Sequence, residues 1–119
     1  MDIQEKNVSL PEFLRSRSQF LSVQKENRKW VAGTMVVQAK KNGLASARFG
    51  ITVSKKTAPR AVDRNRIKRR LREVIRGLYP DISGTQEDIV IIARAKALRS
   101  PFDQLKKDLA WSLKRLKSI

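Results

Sequence analysis

The stretch SKKTAPRAVDRNRIKRRLREVIRGL, Ser54 to Leu78, carries ten Lys or Arg side chains against two acids, yet its apolar residues keep the spacing of a helix. Advancing 100° per residue from Ile67 brings Leu71, Val74, Ile75 and Leu78 into an arc of about 100°. That arc is a core face. Asn65, Arg69, Arg72 and Arg76 fall on the far side, flanked by Arg66, Lys68 and Arg70, while Arg64 lies over the apolar arc in the first turn. The stretch therefore predicts a helix that docks on a sheet with one face and turns a comb of arginines outward with the other.

Its flanks supply the sheet. Ahead of it, ASARFGITVS (45–54) alternates Phe49, Ile51 and Val53 with Arg48, Gly50 and Thr52, the period of two of a strand with one buried face. Behind it, EDIVIIARA (87–95) is an almost continuous apolar run, as a central strand requires, and Gly77, Pro80 and Gly84 punctuate the path between. Further upstream, WVAGTMVVQAK (30–40) is rich in β-branched residues and runs into Lys41-Asn42-Gly43. Asn-Gly favours a tight turn, so a hairpin with the 45–54 strand is expected. Ser9, Pro11 and Glu12 read as a helix start, with residues 10–25 helical and room for a break where Ser18 opens a second short turn. Ser100, Pro101 and Asp103 read as the cap of a last helix whose core residues are Phe102, Leu105, Leu109, Leu113 and Leu116. The expected class is α+β, a small mixed sheet with helices in the order α-β-β-(β)-α-β-α. A chain of 119 residues makes one domain. Residues 10–119 are assigned to it, after a flexible lead-in, residues 1–9, that lacks the apolar stretch of a secretory signal.

Charge narrows the function. Twenty-seven basic residues against eleven acids leave +16, a self-repelling surface that calls for a polyanionic partner. No segment approaches the roughly 20 apolar residues of a membrane span, and the apolar faces are needed for the core, so no membrane partner is expected. The chain has no histidine, hence no imidazole acid/base pair, and no cysteine, hence no thiolate metal site, a composition that fits a reducing cytosol. Its acids are scattered, without an Asp-x-Asp pair, and the adjacent Glu87 and Asp88 should leave a strand by opposite faces. Neither a catalytic residue nor a protein-bound metal is expected.

The run Ser54-Lys55-Lys56 followed by Arg64-Asn65-Arg66-Ile67-Lys68-Arg69 strongly resembles the protein subunit of bacterial ribonuclease P. LRSRSQFLSV near the start, ARFGITVSKK before the basic helix and EDIVIIARA after it agree, so the resemblance runs from about Leu14 to Ile119. It implies that the strands before and after the basic helix are parallel neighbours joined by a left-handed crossover. It also implies a cytoplasmic ribonucleoprotein in which a catalytic RNA holds the Mg²⁺ ions and removes the 5′ leader of precursor tRNA, while the protein binds that RNA and the leader. Carried onto this sequence, the RNA-binding positions are Lys55, Lys56, Arg60, Arg64, Asn65, Arg66, Lys68, Arg69 and Arg72. The leader-binding positions are Arg17, Phe20, Gln24, Arg48 and Thr52, with Gln24 standing where some relatives have a second aromatic. Guanidinium forks suit phosphate oxygens, and an aromatic ring tolerates any base. Phe20 can equally be core packing, Trp30 reads as packing, and Trp111 lies off the apolar stripe of the last helix. A structural ribosomal or nucleoid binder would show the same charge; only the family motifs separate the two.

Overall fold

The computed structural model describes residues 10–116 and 118; the lead-in expected over residues 1–9 and the helix start expected at Ser9 lie outside them. The elements run β1 (Glu12–Phe13), α1 (Arg17–Lys25), β2 (Lys29–Val31), β3 (Met35–Lys41), β4 (Arg48–Thr52), α2 (Ala61–Ile82), β5 (Glu87–Ala93), a 3₁₀ turn (Ala95–Leu98) and α3 (Phe102–Arg115). One five-stranded sheet takes the order β1-β4-β5-β3-β2. β4 and β5, on either side of α2 in sequence, are parallel neighbours, with Phe49 opposite Ile89 and Ile51 opposite Ile91.

The centre of the sheet belongs to β5 because its apolar run serves two faces. Ile89, Ile91 and Ala93 enter the main core with Met35, Val37, Phe49, the α2 residues Ile67, Leu71, Val74 and Ile75, and the α3 residues Leu105, Leu109 and Leu113. Val90 points the other way, into a small cluster with Leu14 and Val23, against which Phe20 and Ile92 pack. Two helices thus cover one face, and the short α1 covers only part of the other.

Several expectations are corrected. The strand at 35–41 does not form a hairpin with β4: it pairs antiparallel with β5 along its whole length. Asn42 and Gly43 still turn, Gly43 at φ +69°, but Asn42 Nδ2 donates to Asp88 Oδ1 at 3.0 Å and to Ser46 O at 3.1 Å. The loop therefore steps across the end of β5 before β4 begins. The true hairpin joins β2 to β3, because Asp108 of α3 accepts from Thr34 N at 3.0 Å and Thr34 Oγ1 at 2.6 Å and pins the turn between them. Residues 10–25 are not one helix either. Glu12 and Phe13 add a short parallel edge to β4, and α1 starts at Ser16, whose side chain caps Gln19 N while Gln19 Oε1 accepts from Ser16 N, a reciprocal capping box. Helix α2 runs through Gly77 and Pro80 to Ile82, since buried Tyr79 and Ile82 hold its last turn in the core. Pro101, not Ser100, is the N-cap of α3, and Phe102 is 40 % exposed rather than core.

Candidate nucleic-acid interface

Burial of Ile67, Leu71, Val74 and Ile75 fixes the rotation of α2, and Asn65, Arg66, Arg69, Arg72 and Arg76 are consequently exposed, with Lys68 half-buried. Just before the helix, Lys55 and Lys56 project from a turn closed by Thr57 N donating to Ser54 Oγ and Ala58 N donating to Ser54 O, both at 3.0 Å. Arg60, the N-cap residue, is exposed and only grazes Asp63 at 4.0 Å. Among the described residues, Lys55, Lys56, Arg66, Lys68, Arg69 and Arg72 form no ion pair with an acid. Crowded on one surface, these like charges repel one another, and an external polyanion relieves that repulsion.

Two arginines of this helix are employed differently. Arg64 turns its fork back on the preceding loop, Nη1 donating to Ala58 O at 2.9 Å and Pro59 O at 2.8 Å, so part of its donor set is already used. Arg70, on the flank of the outward band in the helical wheel, reaches sideways: Nη1 donates to Ala97 O at 2.8 Å and Leu98 O at 3.0 Å, and Nη2 to Ser100 O. It clamps the 3₁₀ turn to α2. Arg70→Ala should strand these part-buried carbonyls, at about 1–3 kcal/mol, and speed amide exchange over residues 97–100; Arg70→Lys, lacking the planar fork, should restore little.

The second surface is the groove between α1 and the sheet. Here a glycine decides the geometry: a Cβ at Gly50 would stand 2.5 and 2.7 Å from two ring carbons of Phe20 and 3.1 Å from Leu14 Cδ1. The Phe20 ring therefore rests directly on the β4 backbone. It is half-buried, with its inner side against the Leu14, Val23 and Val90 cluster. Its outer side lines a groove of about 380 Å³ together with Arg15, Ser16, Arg17, Leu21, Gln24 and Thr52. The two readings of Phe20 are thus both met by one ring. Arg17, Phe20, Gln24 and Thr52 are brought together as the sequence places them. Arg48 is not part of that lining. It occupies the α1 face, but Nε and Nη2 donate to Asp88 Oδ1 and Oδ2 at 2.9 and 2.7 Å, and this bonding raises its pKa above the ordinary arginine value. Arg48 is a half-buried structural ion, not a free cation. Arg15, Ser16 and Leu21 escaped the sequence reading, although the Ser16-x-x-Gln19 pattern would have set the start of α1 and hence its inward face.

A profile of the family described as Ribonuclease P matches residues 10–117. The ribonuclease P protein component of Ruegeria pomeroyi is 45 % identical over 107 residues, covering 87 % of this chain and 84 % of that protein. That of Paramagnetospirillum magneticum is 37 % identical over 111 residues, covering 89 % and 83 %. Among solved structures, the ribonuclease P protein of Thermotoga maritima superposes with a TM-score of 0.74 at 36 % identity, covering 91 % of this chain and 97 % of that one. The Staphylococcus aureus protein gives 0.75 at 31 %, covering 89 % and 95 %. With the profile spanning nearly all the described residues and the fold shared, the chain belongs to the ribonuclease P protein family, the protein components of an endoribonuclease ribonucleoprotein that matures the 5′ end of tRNA.

Proposed function

We propose that this chain binds the catalytic RNA of a cytoplasmic bacterial ribonuclease P through the outward face of α2 and the 5′ leader of precursor tRNA through the α1 groove. The observation that carries the reading is the row of exposed cations Arg66, Arg69 and Arg72 on α2, none of which pairs with a described acid. On this reading the Mg²⁺ ions and the bond-breaking step belong to the RNA. A chain without histidine or cysteine contributes binding energy instead. Energy gained from the leader is absent for mature tRNA, so it separates substrate from product without protein chemistry. Family membership disfavours the alternative of a ribosomal or nucleoid scaffold.

The test is reconstitution. Added to a bacterial catalytic RNA at low Mg²⁺, the protein should speed cleavage of a labelled precursor tRNA and tighten precursor binding more than mature tRNA binding; no gain in either overturns the reading. In the same assay Phe20→Leu should keep the fold, since the ring's inner side is replaced by apolar bulk, yet weaken precursor binding by roughly 5- to 10-fold, the lower part of the range for losing one stacked base. Equal losses for precursor and mature tRNA would confine Phe20 to packing.

A further inference from the structure

The outer face of α3 belongs to neither surface. Lys107, Trp111 and Lys114 follow one another at i, i+4 and i+7 and so share one stripe, and Arg115 stands beside them. All four are exposed, Trp111 at 54 %. The ring is nevertheless held. The Arg115 guanidinium carbon lies 5.6 Å from the Trp111 ring centroid and 4.9 Å from that of half-buried Trp30, so one cation tethers an exposed indole to a packed one. A shallow depression runs along the stripe past Ala110 and Asp108. Asp108 is one acid against Lys107, Lys114 and the neighbouring Arg115, so the face stays net positive. Asp108 Oδ2 accepts from Thr34 N and Oγ1, and Oδ1 accepts from Gln104 Nε2 at 2.8 Å, so its oxygens are held within the β2–β3 turn and the helix.

We propose that this face is a further RNA contact, in which an unpaired base stacks on Trp111 while Lys107 and Lys114 take the phosphates on either side of it. A tethered aromatic between two lysines is the arrangement that single-stranded nucleic acid uses, with stacking indifferent to base identity and charge following the backbone. A second copy of this chain is the poorer occupant, because a two-fold contact would set Lys107, Lys114 and Arg115 against their own counterparts. The inference rests on the chain being an RNA binder but uses none of the α2 or α1 residues.

The chain has two tryptophans, so Trp30→Phe makes Trp111 the sole reporter, and wild type minus Trp111→Phe gives the same signal should that variant fold poorly. Titration with the catalytic RNA, its binding followed independently by anisotropy of a label on the RNA, should quench Trp111 emission and shield it from acrylamide. Trp111→Ala should weaken binding roughly 5- to 100-fold with no change in salt dependence, and Lys107→Ala with Lys114→Ala should lower the log–log salt slope by about 1.4. If the RNA binds and Trp111 stays fully open to acrylamide, this site is wrong and the proposed function stands. Failure of the RNA to bind at all sinks both. Self-association that Trp111→Ala abolishes, with RNA affinity intact, would assign the face to a second copy and overturn the proposal.

Discussion

Replacing Arg66 and Arg69 together with alanine is expected to cost about 100-fold in affinity for the catalytic RNA and to leave the fold untouched. Both side chains are exposed on α2 and bond to no described residue, so nothing within the protein loses a partner. Each charge-assisted bond to a phosphate is worth at least about 1.5 kcal/mol, close to one decade in the binding constant. Two phosphates fewer should also flatten the salt dependence by about two units of log–log slope. The measurement is a filter-binding series across salt, with far-UV circular dichroism as the control. Lost affinity with an unchanged slope would mean that these arginines do not meet phosphates. The contrast with Arg70 is sharp: its substitution should disturb local exchange and stability first, and RNA binding only as a consequence.

The second large effect is on stability. Asp88→Ala is expected to lower stability by about 3 kcal/mol, the lower end for breaking a buried ion pair because the Arg48 side chain keeps 24 % of its exposure. The carboxylate holds both ends of the Arg48 fork and the Asn42 side chain, so its removal strands a half-buried cation and frees the loop that crosses the end of β5. In a domain of this size the melting temperature should fall by about 10 °C. Asp88→Asn, which keeps an acceptor, should lose less. A melting point within two or three degrees of wild type would show that Arg48 finds water easily, and would return it to consideration as a cation available to ligand.

The parts of this fold that the sequence made legible are those in which a single element reports its own surroundings. The wheel around Ile67 sets the buried face of α2 from spacing alone, and the unbroken apolar run of β5 requires neighbours on both sides and helices or strands on both faces. Pairing is another matter. Asn42-Gly43 signals a turn but not where the chain goes after it, and β5, more than forty residues later, takes the place between β3 and β4 that a local hairpin would have filled. The same limit applies to the arginines. Helical spacing gives Arg70 its direction, yet the carbonyls of Ala97, Leu98 and Ser100 that capture it come from a turn that the apolar pattern does not mark. On the candidate surfaces, helical spacing sets the exposure of Arg66, Arg69 and Arg72, and Arg48 lies on the sheet face opposite Phe49 as alternation predicts, but its bond to Asp88 was not legible because that partner sits on a different strand.

The parity of β5 carries a further consequence. Its odd-numbered residues from Glu87 to Ala93 look into the helix-covered core and its even-numbered ones, Asp88, Val90 and Ile92, toward the groove. Inserting or deleting one residue within this strand would flip the residues on one side of the change to the opposite face, turning Asp88 toward the aliphatic core or isoleucines toward the ligand side. Length changes between Glu87 and Ala93 should therefore disrupt the fold, and should be far better absorbed in a loop outside the sheet, such as the exposed one that carries Gly43.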